Sequence, residues 1–202
     1  MAIILITALL IGITACNSGS NDENEVIESP FASAGIGDVI QFGEFDWRVL
    51  DVQDGKALIL ADRIVENQQY HDNVAITWED SEVRKWLNDT FLKETFTAAE
   101  RNLIAESWVV NNDNPEYGTA GGNDTTDRIF LLSFDEAEKY FPDETERIAL
   151  DFNNTPSFWW LRSPGAIANS AVGVSSVDGG IGEAGILLNS SYGIRPALWV
   201  NM

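Results

Sequence analysis

Two arginine blocks decide the reading: Phe158-Trp159-Trp160-Leu161-Arg162-Ser163-Pro164-Gly165 and Gly193-Ile194-Arg195-Pro196-Ala197-Leu198-Trp199-Val200. Each sets an arginine among large apolar residues, where a charge without compensation is costly. Each guanidinium is therefore expected to reach a carboxylate, a backbone carbonyl or solvent at a site, with Asp46 or Asp51 as partners suggested by composition. Between the blocks the chain is mostly Gly, Ser, Asn and small apolar residues. Short strands are expected at Phe158–Leu161, Ala171–Val174, Ile186–Leu188 and Ile194–Val200, separated by turns at Asp178-Gly179-Gly180 and Tyr192-Gly193.

Upstream, Asp38–Phe42, Phe45–Val52 and Lys56–Ala61 alternate in the period of strands, and Gly43-Glu44 and Asp54-Gly55 supply the turns of a three-stranded antiparallel meander. In the middle the period changes to that of a helix over Thr77–Phe96, where Val83, Trp86, Leu87 and Phe91 share a face and Trp86 is expected in the core. Thr97-Ala98-Ala99-Glu100 and Ser133-Phe134-Asp135-Glu136 are capping boxes that open two further helices, the second stopped by Pro142. A strand is expected at Arg128–Leu132. Strands at both ends with helices between them indicate an α+β domain in which N- and C-terminal strands share an antiparallel sheet.

Met1–Ala15 has no charged side chain and runs into Cys16, the only cysteine of the chain. The run is short of the ~20 apolar residues of a spanning helix and has the form of an export signal, although no basic residue precedes it. Ile13-Thr14-Ala15-Cys16 resembles the lipobox of bacterial lipoproteins. This implies a signal peptide over residues 1–15, a diacylglycerol on Cys16, and an extracytoplasmic protein held to the bacterial cell envelope. Residues 16–34, rich in Ser, Asn, Gly and acid, are expected to form a disordered acidic tether, leaving a globular domain over 35–202. With 32 acidic and 12 basic residues the formal charge is −20. Such a field repels phosphate backbones, so nucleic acid is not an expected partner.

The loop Asn111–Asp127 is long for a compact domain, and such loops are commonly functional. Its oxygens make calcium a possible ligand, with Asp113, Asn123, Asp124 and Asp127 as candidates, although the spacing departs from the calcium-loop signature and Asx residues commonly bond their own turns. Trp159 and Trp160 fall on opposite faces of a strand: either one indole enters the core and the other is partly exposed for stacking on a sugar or cation, or both are buried by the helices and the small-residue segment. Asn111, Asp113, Tyr117, Asn123, Asp124, Trp160, Arg162 and Tyr192 are accordingly the candidate ligand-binding residues. His71, the only histidine, reads as an exposed loop residue, and no serine motif accompanies it.

Gly37–Gly43, Phe45–Leu50, Val83–Asn88, Tyr117–Thr125 and the two arginine blocks together resemble DUF6273, a bacterial domain family of unknown function, over about Gly35–Met202. The resemblance implies export or surface association and carries no enzymatic activity with it. The Trp-rich text before Arg162 and the closing Gly193-Ile194-Arg195-Pro196 are also similar to the ends of C-type-lectin-like domains, including the formylglycine-generating branch. That branch works through cysteines, and here none follows Cys16. The expectation is a lipid-anchored, C-type-lectin-like binding module for a glycan or another surface polymer, contacted through Asn111–Asp127 and Asn169–Tyr192. The alternatives are an extracytoplasmic hydrolase using carboxylates and a purely structural envelope protein.

Overall fold

The computed structural model describes residues 27–72 and 74–202. Cys16 and the apolar run before it lie outside the described residues. Within them no helix is long and apolar enough to cross a membrane.

Strands β1 (Val39–Phe42), β2 (Phe45–Gln53) and β3 (Lys56–Ala61) form the expected meander. Asp54 and Gly55 both take positive φ (51° and 70°), the conformation of a tight hairpin turn. The register of β2 against β3 shifts between Val49 and Asp51. This irregularity lets consecutive Val49 and Leu50 both be buried, which a regular pleat forbids. Next come β4 (Glu66–Gln69) and a helical stretch from α1 (Glu82–Trp86) through a π-type turn (Leu87–Phe91) to α2 (Leu92–Thr95). Trp86, expected in the core, is half-buried and packs on Phe91. The indole that is fully buried there is Trp78, in the turn before α1.

Helix α3 (Ala98–Leu103) starts at the Thr97 capping box, with both reciprocal bonds present. A ribbon of β5 (Ser107–Val109) and β6 (Thr125–Asp127) follows, and then α4 (Phe134–Tyr140) from the Ser133 box, whose reciprocal bonds are also both made. Arg128–Leu132 is not a full strand: only Phe130 bridges, to Ala197. Its apolar side chains are nonetheless all buried, so hydrophobicity there reports core contact and not ladder pairing. The short pair β7 (Ala149–Leu150) and β8 (Pro156–Ser157) precedes β9 (Trp159–Pro164), β10 (Ser170–Val174), β11 (Ile181–Leu187), β12 (Ser191–Ile194) and β13 (Ala197–Asn201).

The strands assemble into a four-stranded sheet of order β1-β2-β3-β13 and a five-stranded sheet of order β11-β10-β9-β12-β4. Pairing is antiparallel except for the contact of β12 with β9. The C-terminal strand thus joins the N-terminal meander, as an α+β domain with shared ends requires. The stretch Ile194–Val200 is two strands rather than one. Arg195-Pro196 is where the chain leaves the second sheet for the first, and Pro196, which has no N–H to donate, still accepts from Ala61 N through its carbonyl.

One cluster of buried apolar residues runs through both sheets and the helices. It includes Phe31, which is fully buried and meets the Phe42 ring edge-on at 5.6 Å. Phe31 and Ala34, assigned to the tether by composition, therefore pack on the domain. A single large aromatic ring outweighs the polar residues around it.

Candidate functional site

Both arginines of the blocks are buried, but neither meets Asp46 or Asp51. Arg162 pairs with Glu136 of α4, with Nη2 to Oε1 at 3.1 Å, and donates to the Leu131 and Val110 carbonyls at 2.7 and 2.9 Å. Glu136 is also the closing residue of the Ser133 capping box, so one carboxylate serves a helix start and a buried ion pair. Arg195 donates through Nε to the Ala61 carbonyl at 2.9 Å. Asp51 is bound instead by Tyr140 and Lys139, and Asp46 is exposed.

Several candidate residues are structural. Trp159 and Trp160 are both fully buried: their indole N–H groups donate to Arg147 and Gln68 carbonyls, and neither face is open to a ligand. The strand is covered on both sides, so alternation there separates two parts of the core. Tyr192 is half-buried against Phe158 and Trp160 at 4.6 and 5.3 Å. Arg162, 4% exposed, has its terminal nitrogens committed to protein acceptors. His71 is not an exposed loop residue: its side chain is 13% exposed, with Nδ1 3.7 Å from Glu82.

The four proposed calcium ligands do not converge. Among the described residues no group of three or more His, Cys, Asp or Glu side chains is arranged to hold a metal ion. Asp127 is buried and accepts from Trp78 Nε1 at 2.9 Å, Thr125 Oγ1 at 2.7 Å and Arg84 Nε at 2.7 Å. It is the one buried carboxylate among the described residues, and its bonds make it the floor of the ribbon. Asp113 accepts from Gly121 N, Asp124 from Asn111 N, and Asn123 donates to Glu79.

These bonds make the loop between β5 and β6 a built object. The buried Asn114 donates to the Pro164 and Glu183 carbonyls at 2.8 and 2.9 Å while its Oδ1 accepts from Glu116 and Tyr117 amides. Thr119 Oγ1 donates to the Ala166 carbonyl, and Asn111 Nδ2 to that of Asn123. Gly121 and Gly122 are required: a Cβ at Gly121 would lie 2.3 Å from the Asn111 and Asn112 carbonyl oxygens, and Gly122 has φ +90° with Thr77 directly beside it. The loop is thereby fastened to β9 and β11, with β11 the edge of its sheet.

On the outer face of the ribbon stands a residue that the sequence reading missed. Trp108 is 69% exposed and pairs across the ribbon with Thr126, and Val110 follows it outward. Glu106 and Arg128 pair loosely at 3.9 Å. Ser107 and Val109 turn inward while Glu106, Trp108 and Val110 turn out, a period of two that is legible in the sequence once a strand is assigned there. Tyr117, in the attached loop, is 52% exposed. Trp108 on the ribbon and Tyr117 in the loop are the two exposed aromatic side chains of this segment.

Two linked sheets, predominantly antiparallel, with short helices and an outward ribbon define a mixed α+β domain. Residues 54–202 match the family model of DUF6273, a domain of unknown function, and the chain belongs to that family. The match begins in the β2–β3 turn. Comparison with curated proteins and with solved structures returns no match.

Proposed function

We propose that the protein is an exported, lipid-anchored binding module that holds a glycan or similar surface polymer on the β5–β6 ribbon and its loop. The observation that carries this reading is Trp108, an indole 69% exposed on a ribbon whose underside is pinned by the buried Asp127 network. The flat π-face of an exposed indole is suited to the C–H face of a sugar ring. Rigidity matters because a fixed aromatic binds without paying the ordering cost of a mobile one. The C-type-lectin-like architecture is part of the proposal, supported by terminal strands sharing a sheet and by a long presented loop. Anchoring through Cys16 rests on the apolar run and lipobox.

The test is retention of the full chain on cell-wall polysaccharide and on a glycan array. Trp108→Ala should weaken binding by about 2 kcal/mol, the scale of an anchoring aromatic, with an unchanged circular dichroism spectrum. Failure of the wild type to bind any polymer, or equal binding by the variant, overturns the ribbon assignment. Anchoring is separable: Cys16→Ala should leave the membrane fraction and shift the processed mass, and an unchanged distribution and mass would refute lipidation.

A further inference from the structure

A cleft of about 490 Å3 is lined by Arg48, Asp62, Arg63, Glu146 and Arg195, with apolar walls from residues such as Leu50 and Phe141. Its volume lies inside the roughly 300–1,000 Å3 range of small-molecule sites. None of its lining belongs to the ribbon or to the loop above it. Three arginines face two carboxylates there, in a chain whose overall charge is −20. That local excess of positive charge runs against the field of the whole molecule.

Arg195 makes the excess specific. It is 3% exposed, and Nη1 is buried without a hydrogen-bond partner. Its other contacts are neutral: the Ala61 carbonyl, the Asp62 carbonyl at 3.5 Å, and the Phe141 and Trp159 rings at 5.6 and 5.1 Å. Asp62, whose main-chain carbonyl is the one near Arg195, gives its carboxylate to Arg48 at 2.8 Å. Arg63 Nη1 donates to Asn154 Oδ1 and to the Asp151 carbonyl. Burial pushes the Arg195 guanidinium down to about 10, with Asp62 acting against this and Arg48 adding to it, and it remains cationic at neutral pH. A buried charge without a direct ionic partner is costly, and an anion bound nearby offsets that cost.

We propose that this cleft binds a small carboxylate carried on an apolar body, with Arg195 and Arg48 attracting the anionic end and Leu50 and Phe141 covering the apolar one. A single local excess charge suits a monoanion, and the apolar walls exclude a ligand that is charge alone. The site is independent of polymer binding at Trp108.

The test is titration of the full chain with phenylacetate, its neutral analogue phenylacetamide and inorganic phosphate, followed by amide chemical shifts and calorimetry. Phenylacetate should shift the amides of Gly37, Leu50 and Phe141, and phenylacetamide should bind at least about tenfold more weakly, the worth of one charge-assisted hydrogen bond. Arg48→Gln, a partly exposed position that should fold, is expected to weaken phenylacetate by about tenfold. Arg195→Met is expected to abolish binding, and if it does not fold, the Arg48→Gln result decides. No shifts in the cleft, equal binding of the amide, phosphate binding as tight as phenylacetate, or an Arg48→Gln protein that binds like wild type would each overturn the proposal.

Discussion

Arg162 and Arg195 occupy matching blocks of sequence and are equally buried, at 4% and 3% exposed, yet the molecule treats them oppositely. Arg162 is sealed: Glu136 faces it, two carbonyls accept from it, and the stapled loop closes over it. Arg195 has neutral acceptors only and lines the open cleft of about 490 Å3. Similar text therefore encodes a frame in one place and a charge with no direct ionic partner in the other. What separates them is the partner supplied by a distant segment.

That contrast is open to direct attack. Arg162→Met should cost the most, about 3–5 kcal/mol in urea unfolding, because Glu136 loses its partner and the Val110 and Leu131 carbonyls lose their donor. A cost below about 1 kcal/mol would mean that the seal contributes little. Gly121→Ala should cost about 1–3 kcal/mol by forcing a methyl against two carbonyl oxygens over Arg162, measured as a drop in Tm and as new proteolytic cleavage within the loop. Arg195→Met should cost less than Arg162→Met, about 1–2 kcal/mol, because relief of the unpaired charge offsets the lost bond to Ala61. Equal losses for the two arginines would erase the distinction. Trp108→Ala should change stability by no more than about 0.5 kcal/mol, since the indole stands in water, while binding to polymer falls.

The parts legible in the sequence are those set by near neighbours. The capping boxes at Thr97 and Ser133 form as read because donor and acceptor are three residues apart. The meander follows from alternation and a turn dipeptide. Pairing across the chain was not legible: Glu136 meets Arg162 from 26 residues away, and no local pattern distinguishes it from the other acids of so acidic a chain. The loop was recognised as special, but its Asx residues bond one another and the sheet edge, and only geometry tells that arrangement from an ion site. Burial of both Trp159 and Trp160 decides between the two readings that alternation leaves open, because alternation cannot say whether a strand is covered on both faces. Trp108 was overlooked because a three-residue strand carries too short a period to stand out.

The loop is tied to its neighbours through the main-chain oxygens of Pro164, Ala166 and Glu183. Every amino acid has that oxygen, so the residues of the receiving strands can change identity and leave the attachment intact. Variation can accumulate at Glu116 and Tyr117, which meet Asn114 through their amides alone. The outward side chains of the loop can therefore change while the mount persists, with Asn114 and Gly121 as the positions where substitution is least tolerated.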